Sequence, residues 1–337
     1  MKNLGLLIGE ERTVLESINM AQVAEANNFS YVWFGEHVLI RDSLAMVGIV
    51  ASNTSKISLG TCAINVWTRN IGTTVAAVRT LYEIAEKRIS IGIAAGEQVL
   101  KKFGINSRGV VDAMKEYVQV MKMMFELKDV NFEGKYVKVN NMKLDWHEKL
   151  NVPVYIAASG FKMLELAGEI ADGAILNFLV TDDYINKAIN AINKGLERNI
   201  LGEKYKIFQL IAVSAGQDYK ESMIEGKKLL AKFFYLSPKR FKEIIRQPSV
   251  VDEVISIIDK WPPSEALLIK ASDHIPDDVV HELMVAGEVS DVIEFIQKTS
   301  SKWKTYPILY IVNRDPIWTI KKISYYWDHL NINYDHP

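Results

Sequence analysis

Residues 58–96 read SLGTCAINVWTRNIGTTVAAVRTLYEIAEKRISIGIAAG, and this stretch decides the fold class. The apolar runs 58–63 and 89–94 are each too short for a helix, so both are predicted to be strands. Between them, residues 73–86 place apolar side chains at helical spacing. A strand, a helix and a second strand in this order predict a parallel βαβ unit.

The same unit recurs along nearly the whole chain. The predicted strands are 4–8, 31–34, 58–63, 89–94, 154–157, 174–176, 207–214 and 306–312. The helices predicted between and after them are 14–27, 43–52, 73–86, 110–127, 161–170, 182–199 and 316–327. Eight such units within 337 residues favour an α/β fold of the closed (β/α)8 TIM-barrel type over an open sheet, because the first and last strands are both apolar enough to be buried on two faces.

Two insertions interrupt the repeat. Residues 132–146 alternate apolar and polar side chains around turn residues, which predicts a hairpin before the fifth strand. Residues 220–303 are predicted to be almost wholly helical and lie between strands seven and eight. No linker divides the chain, so we expect one domain over residues 1–337.

Composition excludes several classes of partner. The 40 Lys and Arg residues nearly balance 41 Asp and Glu residues, which leaves no strong positive field for nucleic acid or an anionic membrane. No apolar run approaches the ~20 residues of a membrane span. The single cysteine, Cys62, excludes an internal disulfide and a multi-cysteine zinc site, and no other metal-binding spacing is present. A small-molecule ligand and a cytoplasmic location are expected.

Active sites of such barrels lie at the carboxyl ends of the strands. We therefore expect the side chains that follow each strand to converge on one mouth. The candidates are Glu36 and His37 after strand two, Cys62, Ala63 and Asn65 at strand three, Gly96 and Glu97 after strand four, Ser159 and Gly160 after strand five, and Asn177 after strand six.

His37 and Glu97 are the candidates for proton transfer. The neighbouring Glu36 could orient His37 or raise its basicity, although a structural hydrogen bond would explain a histidine at a strand end equally well. Glu97 follows small residues that would let a planar ligand approach the backbone. Taken alone, Glu97 is better explained as an ordinary acid at the start of the helix that follows it, since an acid is favourable there.

Residues 159–161, SGF, open a helix directly after strand five. Backbone N–H groups at a helix start can bind an anion, and Gly160 would leave room for a phosphate. A plain Ser159 N-cap is the alternative. No P-loop is present, and residues 92–96, GIAAG, lack the glycine order of a dinucleotide fingerprint, so a nicotinamide site of the Rossmann type is not indicated.

Five runs of sequence together resemble the luciferase-like superfamily, especially its coenzyme F420-dependent branch. Within that branch the resemblance is to methylene-tetrahydromethanopterin reductases first and to the sugar-phosphate and secondary-alcohol dehydrogenases after them. The resemblance covers strands one to six and resumes at residues 287–312. The runs are ANNFSYVWFGEH, SLGTCAINVWTRNI, LYEIAEKRISIGIAAGE, VPVYIAASG and LAGEIADGAILN.

The resemblance implies a role for each candidate. His37 takes the place of the active-site histidine beside the deazaflavin ring, and Glu36 stands where that branch usually has aspartate. Cys62 and Ala63 fall where many members have a bulge with a cis non-proline peptide. Glu97 matches an acid that donates or accepts a proton. Ala157, Ala158, Ser159, Gly160 and Phe161 match the segment that holds the cofactor phosphate, and Asn65, Gly96 and Asn177 are further expected cofactor contacts.

Two positions depart from particular members of the family. Arg41 stands where the sugar-phosphate enzymes carry tryptophan, and Leu7 stands where the methylene-tetrahydromethanopterin reductases carry an acid in the first strand. Both substrates therefore stay open.

The resemblance implies an F420-dependent oxidoreductase that transfers a hydride between the deazaflavin and a small organic substrate, with His37 and Glu97 as catalytic residues. An FMN-dependent luciferase-like monooxygenase and a non-catalytic flavin-binding protein are the alternatives. A homodimer is expected.

Overall fold

The computed structural model describes residues 3–37, 39–96, 100, 103–105, 108–199 and 204–329 of the chain. The strands are β1 Gly5–Ile8, β2 Tyr31–Phe34, β3 Ser58–Asn65, β4 Ile89–Ala94, β5 Val130–Glu133, β6 Lys138–Met142, β7 Val154–Ala158, β8 Gly173–Leu176, β9 Lys206–Gly216, β10 Val285–Glu288 and β11 Tyr306–Ile311. The helices are α1 Val14–Ala26, α2 Ser43–Ala51, α3 Ile71–Ala85, α4 Val110–Phe125, α5 Phe161–Ile170, α6 Asp182–Leu196, α7 Tyr219–Leu236, α8 Pro238–Ile244, α9 Ser249–Ile257, α10 Glu265–Ser272, α11 Asp277–Leu283, α12 Val289–Trp303 and α13 Pro316–His329.

Eight of these strands form a closed sheet in the order β1, β2, β3, β4, β7, β8, β9 and β11. Helices between the strands complete the (β/α)8 barrel, which confirms the fold class predicted from the sequence. The strands lie where they are predicted, with bounds that differ by two residues or fewer. Their apolar character follows from burial on both faces, and β8 is buried along its whole length.

Aromatic rings fill part of the barrel interior. Trp33 on β2 packs edge-on against Tyr155 on β7 and Phe208 on β9, with ring centroids 5.7 and 5.0 Å apart. Gly60 on the neighbouring β3 makes room for the indole, because a Cβ there would lie 2.4 Å from the Trp33 ring. This packing fixes the spacing of the strands that carry the candidate site.

The chain divides into two compact units. The first comprises Met1–Leu176 and Lys187–Gln209 and holds the candidate residues of strands two to five. The second comprises Asn177–Asn186 and Leu210–Pro337 and has its own apolar core, in which Phe234 and Phe241 are fully buried. A single domain over residues 1–337 stays a prediction.

The first insertion is a hairpin in which β5 and β6 pair antiparallel, as predicted. Its turn is held by Glu116 of α4, whose carboxylate accepts hydrogen bonds from the backbone N–H groups of Lys135, Tyr136 and Val137 at 3.0, 2.7 and 2.9 Å. These three bonds lower the pKa of Glu116, although its burial acts in the opposite direction.

The second insertion corrects the prediction of an almost wholly helical segment. Helix α11 ends at Leu283, and β10 then runs parallel to the end of β9, with Val285 opposite Val213 and Glu288 opposite Gly216. The strand reads VAGE, and three of its four residue types, Ala, Gly and Glu, are depleted in strands, so its composition does not mark it off from the helices on either side. Among the described residues, no helix is long and apolar enough to cross a membrane.

Candidate active site

The first two strands end level with each other. Gly5 pairs with Tyr31 and Ile8 with Phe34, so the two residues after β1 come beside the two residues after β2. This register brings Glu10 beside the segment that carries His37, and Glu10 Oε1 lies 2.9 Å from His37 Nδ1. The carboxylate that contacts His37 is therefore Glu10, and Glu36 does not fill the orienting role considered from the sequence.

The contact with Glu10 sets the chemistry of His37. The hydrogen bond raises the pKa of His37, and the charge of Glu10 adds to this effect while partial burial opposes it. With Nδ1–H directed at the carboxylate, the neutral ring carries its lone pair on Nε2. Partial burial opposes the charge of Glu10, but its hydrogen bond to His37 lowers its pKa below the ordinary value. His37 can thus accept a proton at Nε2 when neutral and donate one there when charged.

Glu36 has a different set of partners. Its Oε2 accepts hydrogen bonds from the backbone N–H and the hydroxyl of Ser43 at 3.2 and 2.7 Å. Arg69 donates from Nε to Oε1 at 3.2 Å and from a terminal nitrogen to Oε2 at 2.8 Å, in a bidentate arrangement. The Glu36 side chain is 6% exposed. Glu36 therefore joins the start of α2 to the segment after β3.

Arg69 also binds a second carboxylate. The same terminal nitrogen lies 2.8 Å from Asp42 Oδ2, and Asp42 caps α2 by accepting a hydrogen bond from the N–H of Ala45 at 3.0 Å. Burial opposes the charge of Arg69, yet its bonds to Glu36 and Asp42 raise its pKa further above the ordinary value. Arg69 holds the loops that follow β2 and β3 together.

Strand β3 has a bulge at the predicted place. The register with β4 shifts between Thr61 and Ile64, and the Cys62–Ala63 peptide bond is cis, as the family resemblance implies. Gly92 on β4 is required beside it, because a Cβ there would lie 2.2 Å from the carbonyl oxygen of Thr61. Burial raises the pKa of the Cys62 thiol to about 12, so it is a neutral thiol near pH 7.

Small side chains lie at the carboxyl ends of three adjacent strands, β3, β4 and β7. They are partly exposed, whereas the residues that precede them on the strands are buried. We call them the small-residue floor, which consists of Cys62, Ala63, Ala94, Ala95, Ala157 and Ala158. A floor without large side chains leaves space for a flat ring to lie against the strand ends.

Asn65 links the ends of β3 and β4. Its Nδ2 donates to the carbonyl of Ala95 at 3.0 Å, and its Oδ1 accepts from the N–H of Trp67 at 2.8 Å. Gly96 has φ of 51°, and a Cβ there would lie 2.4 Å from Asn65 Nδ2. Glu97, predicted to be catalytic, lies outside the described residues, and its role stays a prediction.

The segment predicted to hold a phosphate follows β7. Helix α5 begins after Gly160, its N-cap residue, which has no side chain to cap the first turn. A Cβ built on Gly160 would meet no atom within 4 Å, and residues 159–161 are exposed. The start of this helix therefore has both the donors and the space that an anion needs.

Asn177 belongs to the second unit, unlike the other candidates. It follows β8, and its Oδ1 accepts a hydrogen bond from the N–H of Phe178 at 2.9 Å. The next two carbonyl groups, those of Phe178 and Leu179, accept from a terminal nitrogen of Arg240 at 2.8 and 3.0 Å. Its contact with a cofactor stays a prediction.

A pocket of about 380 Å³ opens beside His37 in the first unit. The residues that line it are Glu36, His37, Leu39, Ile40, Arg41, Asp42, Thr68 and Arg69. Its walls combine exposed apolar side chains, Leu39 and Ile40, with charged groups. A small organic molecule can be held here by a few directional contacts.

Glu10, Ser43 and Arg69 are members of this arrangement that the sequence analysis missed. A signal for Glu10 is present in the sequence, because residues 8–11 read IGEE and residues 34–37 read FGEH after neighbouring strands. The equal spacing of the two acids from their strands places them at one level of the sheet. No local signal identifies Arg69, whose partners lie 33 and 27 residues away.

The chain is similar in sequence to known proteins. The family model described as luciferase-like monooxygenase matches residues 5–301. The 5,10-methylenetetrahydromethanopterin reductase of Archaeoglobus fulgidus is 27% identical over 315 residues, which cover 90% of this chain and 90% of that protein.

Two solved structures are similar over nearly the whole chain. The coenzyme F420-dependent tetrahydromethanopterin reductase of Methanopyrus kandleri matches with a TM-score of 0.82 at 22% identity, covering 95% of this chain and 96% of that one. An F420-dependent secondary alcohol dehydrogenase in complex with an F420-acetone adduct matches with a TM-score of 0.76 at 20% identity, covering 96% and 97%. These likenesses confirm the barrel fold.

Proposed function

Because this chain belongs to the luciferase-like monooxygenase family, we propose that it is an oxidoreductase that uses coenzyme F420 to transfer a hydride to or from a small organic substrate. Its curated relatives include 5,10-methylenetetrahydromethanopterin reductases and F420-dependent dehydrogenases. Two observations carry the proposal: the Glu10–His37 pair that follows β1 and β2, and the small-residue floor on β3, β4 and β7, which come next in the order of the barrel.

The residues fit a planar cofactor with a phosphate. The small-residue floor leaves room for a flat ring, and the uncapped start of α5 at Gly160 offers backbone donors to a phosphate. We assign cofactor contacts to Cys62, Ala63, Gly96 and residues 157–161 on these grounds, and to Asn65 as the residue that holds Gly96 in place. Bound F420 would supply the carbon that accepts or donates the hydride.

His37 is the proposed proton-transfer residue. Oxidation of an alcohol requires a base for its hydroxyl proton, and neutral His37 offers Nε2 because Glu10 holds Nδ1. Reduction of a carbonyl requires the reverse, a proton or hydrogen bond to the oxygen from the charged ring. Glu97 is proposed as the second acid or base, on the resemblance alone. Glu36 is proposed as a support of the cofactor site, since it is bound to Arg69 and Ser43.

The test is titration of the purified protein with F420 and, separately, with FMN, followed by turnover assays. Tight F420 binding, with F420 reduced by a small alcohol or oxidised by the matching carbonyl compound, is the expected result. Tight FMN binding with oxygen consumption would favour the monooxygenase alternative. Tight binding of either cofactor without any turnover would favour a flavin-binding protein. A protein that binds neither would refute the proposal.

We also propose that the protein acts in the cytoplasm as a homodimer, without nucleic acid as a partner. The single cysteine supports a cytoplasmic location, and the balanced charge supports the absence of nucleic acid as a partner. The dimer rests on the family resemblance. Sedimentation equilibrium of the purified chain tests the dimer directly.

A further inference from the structure

The pocket beside His37 contains two arginines with different surroundings. Arg69 is bound by both acidic residues of the pocket wall, Glu36 and Asp42. Among the described residues, no carboxylate lies within 4 Å of the Arg41 guanidinium, and Glu10 acts on it only through charge at longer range. The side-chain hydrogen bond of Arg41 is a weak one, to Met46 Sδ at 4.0 Å. In the described part of the pocket wall, Arg41 is therefore the cation that no carboxylate contacts directly.

Arg41 is held next to His37 by the backbone. The two residues form an antiparallel bridge, and the N–H of Arg41 donates to the carbonyl of His37 at 3.0 Å. Residues directly opposite in an antiparallel pair project to the same face, with Cβ atoms ~5 Å apart. The guanidinium and the imidazole thus leave the chain side by side and line one pocket.

The turn between them presents apolar groups. Leu39 is 91% exposed and has φ of 70°, a left-handed conformation that is unfavourable for leucine, and Ile40 is 63% exposed. Both side chains line the pocket. A ligand here meets an apolar edge, a proton donor or acceptor, and a cation.

We infer that the substrate is a small organic acid whose carboxylate binds Arg41 while the oxygen on its reacting carbon faces His37. The inference rests on the proposed function and specifies its substrate class. Arginine binds a carboxylate through two parallel N–H···O bonds, and that geometry fixes orientation as well as affinity. Because Arg41 and His37 are adjacent, the carboxylate lies on or next to the carbon that reacts, as in 2-hydroxy and 2-oxo acids.

The test compares lactate with lactamide, its neutral counterpart, by calorimetric titration of the protein with and without bound F420. We expect wild type to bind lactate about tenfold more tightly than lactamide. Arg41→Gln should remove this preference and leave lactamide binding unchanged. Arg41→Lys should keep part of it, since charge is retained without the bidentate geometry. Arg246→Gln, at a side chain 89% exposed in the second unit, is the control that removes an equal charge.

Equal binding of lactate and lactamide by wild type would overturn the inference. So would an Arg41→Gln variant that keeps the preference for lactate, or one that loses F420 affinity alone, since the anion at Arg41 would then belong to the cofactor. Failure to bind F420 refutes the proposed function separately, because the lactate titration without F420 still reports on Arg41.

Discussion

Glu10 Oε1 lies 2.9 Å from His37 Nδ1, and this contact joins the ends of the first two strands of the barrel. It leaves Nε2 as the nitrogen available to a ligand, and it raises the pKa of the ring through the hydrogen bond to the carboxylate. The orientation and the basicity of His37 therefore both depend on the Glu10 side chain.

Replacing Glu10 with glutamine should shift the pH profile of turnover. Alcohol oxidation needs neutral His37, so kcat rises with pH through the pKa of the ring. Glu10→Gln removes the carboxylate that raises this pKa, and the midpoint of the profile should move to lower pH. Glu11→Gln, which removes a nearby charge without the hydrogen bond, should shift the midpoint less. An unchanged midpoint in Glu10→Gln would remove His37 from the rate-limiting proton transfer.

The same pair should make a small, pH-dependent contribution to stability. The pKa of His37 is raised in the folded protein, so its contribution is full below the ordinary value of 6.5 and is lost as pH rises through the folded pKa. The pKa of Glu10 is lowered, so its contribution is full above 4.5 and is lost as pH falls through the folded pKa. The free energy of unfolding of wild type should therefore exceed that of Glu10→Gln most between pH 4.5 and pH 6.5.

The expected difference is about 0.5 kcal/mol, because the His37 side chain is 56% exposed and solvent screens the pair. Urea unfolding of both proteins at several pH values measures it. A difference that increases above pH 8 would contradict the assignment.

Arg69 should contribute far more to the free energy of unfolding than the Glu10–His37 pair does. Arg69→Met leaves the Glu36 carboxylate, 6% exposed, without its bidentate partner, and should cost about 3 kcal/mol. Arg198→Met is the matched control, since Arg198 also bridges two carboxylates, Glu165 and Glu169, but on the surface. Its cost should be much smaller than that of Arg69→Met, because solvent screens an exposed pair.

A double variant separates charge from packing at this site. Glu36→Gln removes the buried charge, so Arg69→Met in that background should destabilise much less than in wild type. Additive losses in urea unfolding would mean that the guanidinium acts through packing or through Asp42 and not through the charge of Glu36, and the account of Glu36 as a charged support would be wrong.

The sequence predicts the barrel well because each strand carries its own signal. The run 89–94 is apolar except for Ser90, and its helical neighbours have the expected period. The bulge at Cys62 and the cis peptide were accessible only through the family resemblance, since nothing in the local residue types requires them. β10 was missed because Val285–Glu288 contains Ala, Gly and Glu, which are depleted in strands, and lies between two helices with no turn residues to separate it.

Contacts between distant residues limited the prediction of the site. Glu36 lies directly before His37 in sequence, and proximity in sequence favoured it as the orienting acid. Successive residues of an extended segment point to opposite sides, so a neighbour in sequence is a poor partner. The strand register instead brings Glu10, 27 residues away, to the ring.

Gly160 should affect cofactor binding without affecting the fold. Its φ of −84° and ψ of 133° are accessible to valine, and a Cβ there meets no atom within 4 Å. Gly160→Val should therefore keep the thermal midpoint of wild type while its branched side chain occupies the space proposed for the phosphate. F420 affinity should fall about tenfold or more, and Gly160→Ala should give an intermediate loss. Full F420 affinity in the valine variant would place the phosphate elsewhere.

Removing the proposed proton-transfer groups should reduce turnover and spare cofactor binding. General acid–base catalysis acts on the transition state and is typically worth 10²- to 10⁴-fold, so His37→Ala and Glu97→Gln should each lower kcat within about that range at unchanged F420 affinity. If both groups serve one reacting centre, the loss in the double variant is smaller than the product of the single losses. Half-exposed His37 makes one contact with a carboxylate, so its removal should cost little stability. The test is to measure the thermal midpoint, the F420 affinity and kcat on the same three variants. A structural histidine or a helix-capping glutamate would lower the thermal midpoint and leave the turnover of each folded molecule intact, which would contradict the catalytic assignment.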